Sequence, residues 1–112
     1  MGTVAFAAPL VPGKTDAWRE WMEEARGPRA AELADFNTRH GLTRHAAWLQ
    51  QTPMGDFVVV IHEGPGAEEL LPKLATSDNE FDVWFRDNVQ EVHGMDVSNP
   101  PPLPELAIDI RS

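Results

Sequence analysis

The stretch 43-TRHAAWLQQTPMGDFVVVIHEG-64 decides the fold, because its composition is typical of two β-strands joined by a tight turn. β-Branched and aromatic residues stand on both sides of the short segment PMGD. Within that segment Gly55 can adopt the positive φ that tight turns require. The stretch therefore predicts a β-hairpin that turns at Gly55.

Side-chain alternation along the hairpin places its residues on two sides, and we predict the register in which Thr52 lies opposite Phe57. One side then carries His45, Ala47, Leu49, Val58, Val60 and His62, and the other carries Arg44, Trp48, Gln50, Phe57, Val59 and Ile61. A three-residue turn would shift the register by one residue, but both sides would remain largely apolar. A second apolar face needs a cover, and a second copy of the chain is the simplest one. We therefore expect a homodimer through the open face of the sheet.

The segments around the hairpin give the order β-α-β-β-α-β. TVAFAAPL alternates as a strand, and two helical segments, separated at Gly27–Pro28, lead from an N-cap at Thr15 to the hairpin. A short helix AEELLPKLA and a helix opened by a capping box from Ser77 to Glu80 follow it. The prolines of SNPPPLP form a connector, and ELAIDI alternates as a final strand. The sequence predicts an α+β, ferredoxin-like domain with a four-stranded antiparallel sheet and helices on one face.

Length and charge limit the classes of protein that this chain can belong to. Its 112 residues fit a single domain, 1–112, and 9 basic against 18 acidic residues give a formal net charge of −9, which repels nucleic acid and anionic lipid. The absence of cysteine excludes disulfides and thiolate chemistry. With no long apolar run and no basic residue before the first apolar stretch, we expect a cytoplasmic protein that binds neither nucleic acid nor membrane.

Two groups of residues in the hairpin are candidates for a site. His45 and His62 share one side, where an imidazole pair could carry out general acid–base catalysis. The same pair could hold a metal ion, but a zinc site needs a third ligand that no spacing here supplies, or it could simply fill the sheet. We predict catalytic roles for both histidines and neither a metal nor a cofactor.

The other side of the hairpin offers a second candidate group. Arg44, Trp48 and Gln50 could bind a flat ligand between an aromatic ring, a cation and an amide. The alternative is that Trp48 packs on the helices while Arg44 reaches solvent. We predict a ligand-binding role for these three residues.

Other charged residues have ordinary structural explanations. Arg26 and Arg29 flank the helix break and are expected at the surface. His40 and His93 each precede a glycine at a helix end, where a cation favours the negative end of the helix dipole. No glycine-rich segment has the spacing of a phosphate-binding loop.

The strand order, the length of the chain and the second strand with its tryptophan, Trp48, resemble the dimeric α/β-barrel proteins, which include antibiotic biosynthesis monooxygenases and stress-responsive barrel domains. The segments PGKTDAW, RGPR, TPMGDF and VHG are similar to those of a small bacterial group within that superfamily. The resemblance implies two sheets packed face to face in a dimer, with a small-molecule cavity in each subunit. It also implies a cofactor-independent oxygenase or isomerase that acts on a small aromatic or polyketide-like molecule. The alternative is a non-catalytic homodimer that binds a small molecule or has a structural role.

Overall fold

The computed structural model describes residues 2–112, in which an antiparallel sheet is covered on one side by helices. The strands are β1 (Gly2–Pro9), β2 (Arg44–Thr52) and β3 (Gly55–Gly64), and the helices are α1 (Thr15–Arg26), α2 (Ala30–Arg39), α3 (Leu70–Thr76) and α4 (Glu80–His93). A short 3-10 turn over Ala67–Glu69 leads into α3. The predicted α+β class is confirmed for the described residues.

The strands lie in the order β1-β3-β2, with both neighbouring pairs antiparallel. The hairpin register differs from the predicted one, since Thr52 lies opposite Gly55 and Phe57 lies opposite Gln50. This is a shift of two residues, which keeps every side chain on its predicted side. The shift brings His45 directly opposite His62.

The helices bury one face of the sheet, which we call the covered face. Its members on β3, Val58, Val60 and His62, are buried, as is Val4 on β1. The break between α1 and α2 is confirmed, and a Cβ on Gly27 would approach the carbonyl oxygen of Glu23 to 2.8 Å. The break lets α1 and α2 run in different directions, so that both helices can pack over the covered face.

Two predicted helix starts differ from the structure. Thr15 is the first helical residue, preceded by Lys14, and its hydroxyl donates a hydrogen bond of 2.6 Å to Asp56 instead of capping α1. Asn79 caps α4 by accepting from the backbone N–H of Phe81 and Asp82, so the capping box at Ser77 is wrong. In both cases a carboxylate accepts from the hydroxyl that the local pattern assigns to the helix end. The partner of Thr15 is on another element, whereas Ser77 binds Asp82 in the first turn of α4 at 2.7 Å.

The predicted fourth strand is not formed, so the four-stranded sheet is wrong for the single chain. The residues 105–110, which we call the tail segment, have no regular structure and are exposed. Leu106, Ile108 and Ile110 are 76%, 72% and 79% exposed. An alternating pattern makes a segment able to form a strand, but a strand also needs an edge to pair with, and the tail segment meets none within its own chain.

The opposite side of the sheet, which we call the open face, is left uncovered. It consists of Thr3, Ala5 and Ala7 from β1, Arg44, Ala46, Trp48 and Gln50 from β2, and Phe57, Val59 and Ile61 from β3. Trp48, on β2, is 47% exposed on this face. Apolar side chains thus line both faces of the sheet, as the sequence predicts, while the helices shield one.

Three glycines bring two loops into contact at the end of the sheet away from the hairpin turn. Gly41 and Gly64 have φ of 68° and 138°, a region that other residues rarely adopt. A Cβ on Gly64 would collide with the carbonyl oxygen of Gly41, and one on Gly66 with that of His40. A hydrogen bond of 3.0 Å from the N–H of Gly66 to the Gly41 carbonyl joins the loops. We call this contact the glycine crossing.

Candidate functional site

A cavity of about 200 Å³ lies between the covered face and the helices. Its wall is mostly apolar, with Trp18 and Trp21 from α1, Leu70 and Leu74 from α3, and Phe85 from α4. Such a lining forms because the apolar stripes of several helices converge on one sheet face. Polar groups on this wall are few, so each of them matters for what the cavity can bind.

His45 and His62 lie side by side on the wall of this cavity. Their ring centroids are 4.6 Å apart with the planes at 78°, because the register places the two residues opposite each other on β2 and β3. His62 also meets the edge of Phe6 at 5.8 Å between centroids. The structure thus brings together the two histidines that the sequence singled out.

Hydrogen bonding distinguishes the two imidazoles. Nδ1 of His45 lies 3.1 Å from Oδ1 of Asn37, and because a carbonyl oxygen can only accept, Nδ1 carries the proton and Nε2 keeps a lone pair. His40, His45 and His93 all form side-chain hydrogen bonds, whereas His62 forms none within residues 2–112. His62 is 5% exposed. Its ring nitrogens are therefore free for a molecule in the cavity.

Burial keeps both imidazoles neutral. It lowers the pKa of His45 from 6.5 to about 4. Burial, aided by the neighbouring His45, lowers the pKa of His62 to about 3. At neutral pH the pair therefore offers lone pairs and N–H donors, not cations.

The cavity contains two further polar residues that sequence reasoning explained as surface and helix-end groups. Arg26, at the end of α1, lines the cavity although it is exposed. His93 lines it as well, and its Nδ1 donates to the Pro9 carbonyl at 2.9 Å, which ties the end of α4 to β1. Burial lowers the pKa of His93, opposed by this hydrogen bond. The helix break beside Arg26 was the available signal, since breaks often flank pockets.

The predicted ligand-binding group lies elsewhere. Arg44, Trp48 and Gln50 belong to the open face, on the side of the sheet away from the two histidines. The Arg44 guanidinium carbon lies 5.9 Å from the Trp48 ring centroid, and Arg44 also approaches Glu63 at 3.6 Å. The three residues remain a predicted ligand group, but they form no part of the cavity wall.

A second buried polar cluster lies between α2 and α4. The fully buried Asp82 accepts two hydrogen bonds from Arg39, at 2.8 and 3.0 Å, one from Ser77 and one from His40. Burial alone would raise the pKa of Asp82, but these donors outweigh it and lower the pKa to about 2. The sequence gives no periodic signal for such a cluster, and it lies outside the cavity wall.

Within residues 2–112, no group of three histidine or carboxylate side chains is placed to hold a metal ion. None of the helices in that range has the length and apolar character needed to cross a membrane. Both findings concern only the described part of the chain.

Comparison with known proteins relates this chain to one solved structure by fold. It is similar to the crystal structure of an L-rhamnose mutarotase from Formosa agariphila, with a TM-score of 0.67, 15% identity and complete coverage of both chains. No family model and no curated protein matches the sequence. At this identity the likeness concerns the fold alone, and it is consistent with the predicted ferredoxin-like fold.

Proposed function

We propose that this protein is a small-molecule isomerase that works by proton transfer, with His45 and His62 as the catalytic pair. The observation that carries the proposal is the contact of two neutral imidazoles on the wall of an otherwise apolar cavity. The structural neighbour, a mutarotase, is also an isomerase of small molecules. No cofactor is needed for such a step.

The arrangement of protons suits an isomerisation, in which as many protons are delivered to the substrate as are removed from it. Nε2 of His45 has the lone pair that accepts a proton from the substrate, because Asn37 holds Nδ1–H. The free N–H of His62 can donate to a second substrate atom. The two rings are close enough to exchange a proton through the product or one water molecule, which resets the pair. Arg26 is placed to attract an anionic group to the cavity.

We further propose that the protein is a homodimer through the open face. That face presents Ala5, Trp48, Phe57, Val59 and Ile61, an apolar set that a sheet of this size needs to cover. The matching face of a second copy is self-complementary around a two-fold axis. Sedimentation equilibrium should give a dimer mass for the full chain.

Nuclear magnetic resonance can test the isomerase directly. A panel of reducing sugars and small carbonyl compounds is incubated with the protein in D₂O, and exchange between anomers and uptake of deuterium at carbon are followed. Saturation transfer detects anomer exchange, and loss of C–H signals detects keto–enol isomerisation. We expect turnover of at least one class, reduced about 100-fold or more by His62→Gln.

The matched control is Val59→Asp on the open face. It should leave the first-order proton-transfer step within about threefold while abolishing the dimer, because the substitution lies on the other side of the sheet from the cavity. Full activity in His62→Gln, with the fold retained, would refute the catalytic role of the pair.

The same panel separates the two other functions that the sequence allows. Oxygen consumption with phenolic substrates would identify a cofactor-independent oxygenase. Ligand-induced shifts of the His62 ring signals without turnover would identify a binding module. Either result would replace the isomerase proposal.

A further inference from the structure

The tail segment, 105–110, is the part of the molecule that the fold does not use. Its alternating residues Leu106, Ile108 and Ile110 are all more than 70% exposed, and its backbone forms no ladder with the sheet. Apolar side chains spaced for a strand are unfavourable in water, and such a segment also presents unpaired N–H and C=O groups. When such a segment pairs with the edge of a sheet, its apolar side chains are shielded from water and its N–H and C=O groups form hydrogen bonds.

The two edges of the sheet are not equally available. β1 is faced along Phe6–Pro9 by the chain's own Pro100–Pro104, which surround a common groove. Prolines have no N–H to pair with, and Pro9 lacks one as well, so half of that edge cannot take a further strand. β2 pairs only with β3, and its other edge is open over Arg44–Thr52, which includes no proline. β2 therefore has the longer free edge.

The chain's own β2 is a poor target for its own tail segment. The connector leaves the fold beside β1, and β3 separates β1 from β2. The tail would have to cross the open face, which the dimer proposed above buries. If the open faces of two copies pack about a two-fold axis parallel to the strands, β1 of one copy lies over β2 of the other, and each tail then starts beside the partner's free edge.

We propose that the tail segment of each copy adds a fourth strand to the β2 edge of a second copy, so that reciprocal strand exchange joins the dimer. The exchange rests on the homodimer proposed above. The exchanged segment begins close to the proposed site, because the connector's groove shares Phe6, His93 and Met95 with the wall of the histidine cavity.

Thiol cross-linking tests the exchange, since the chain has no cysteine of its own. Two single-cysteine proteins, one with Ile108→Cys and one isotopically labelled with Ala46→Cys or Ala47→Cys on β2, are mixed and treated with a short bismaleimide. We expect a mixed-mass dimer on mass spectrometry. The matched control places the labelled cysteine at Ala5 on β1, which should cross-link much less.

Cross-links to Ala5 alone, or to none of these positions, would overturn the exchange. An Ile108→Cys/Ala46→Cys double variant that links within one chain would overturn it as well. These tail positions are exposed in the single chain, so the substitutions leave the protomer folded.

Removal of residues 105–112 separates this proposal from the homodimer itself. We expect the dimer dissociation constant from sedimentation equilibrium to rise by more than about tenfold. Ile108→Asp should act in the same direction, whereas Ala107→Asp, of opposite parity in the strand, should act less. An unchanged dissociation constant in the truncated chain would overturn the exchange and leave the dimer standing. A full-length chain that is monomeric would overturn both.

Discussion

Val58 and Val59 are neighbours on β3 with the same side chain, but they belong to different surfaces. Val58 is 1% exposed beneath the helices, and Val59 lies partly exposed on the open face. The covered face has a cavity with two histidines, and the open face has an unshielded tryptophan. The difference teaches that a sheet with two apolar faces can present two distinct surfaces: under the proposals made above, the covered face serves chemistry and the open face serves assembly.

We expect the largest difference between the two faces from replacing Val58 or Val59 by aspartate and comparing the free energies of unfolding. Val58→Asp places a charge in a dry core with no partner, and we expect it to lower the free energy of unfolding by at least about 4 kcal/mol. Val59→Asp should cost the isolated protomer less than about 1 kcal/mol while weakening the dimer. Urea unfolding at low protein concentration measures both, and equal losses would remove the distinction between the faces.

The next largest loss of stability is expected in the helical layer that covers the sheet, at the buried Asp82 cluster. Asp82→Asn leaves Arg39 without its buried anion, and we expect a loss of about 3 kcal/mol in the free energy of unfolding. The matched control is Asp35→Asn, because Asp35 binds the same Arg39 at 2.7 Å but is exposed. We expect the control to cost less than about 1 kcal/mol. Similar losses from the two variants would show that burial does not set the strength of this cluster.

Acid should weaken the covered face before it affects the Asp82 cluster. Each cavity histidine has a pKa below 6.5 in the folded state, so the unfolded chain binds the proton first and stability falls as the pH drops below 6.5. The fall is about 1.4 kcal/mol per pH unit for each histidine until its folded pKa, about 4 or about 3, is reached.

Thermal unfolding between pH 7 and pH 5 measures this slope, and the double variant His45→Gln/His62→Gln should reduce it to the part that His93 contributes, since burial lowers its pKa as well. The Asp82 contribution, with a pKa of about 2, should be lost only as the pH falls from 3.8 toward 2. An undiminished slope in the double variant would assign the acid sensitivity to other groups.

The smallest effect is expected at the edge of the open face. Arg44→Gln removes a 3.6 Å ion pair with Glu63 and the contact with the Trp48 ring, both of them exposed to solvent. We expect less than about 0.5 kcal/mol in protomer stability by urea unfolding. A larger loss would mean that Arg44 contributes to more than these two contacts.

Local patterns predicted the elements that depend on local physics. Alternation fixed which side of the sheet His45 and His62 share, and the helix break at Gly27–Pro28 was placed correctly. The register was wrong by two residues because a period of two cannot distinguish shifts that preserve parity.

Features that depend on distant partners were not predictable in this way. The Thr15 hydroxyl was predicted to cap α1 and instead binds Asp56 on β3, and His93 was explained by its helix end although it lines the cavity. The tail segment has the pattern of a strand but lacks an edge in its own chain. In each case the pattern describes what a residue can do, and the rest of the fold determines what it does.

The glycine crossing has a consequence for how this protein can evolve. Backbone contacts hold the open end of the hairpin, so the alignment of β2 with β3 there depends little on which side chains surround it. Substitutions around the cavity would therefore change its shape and polarity while the two imidazoles keep their spacing. The crossing lets the lining of the cavity change without a change in the scaffold.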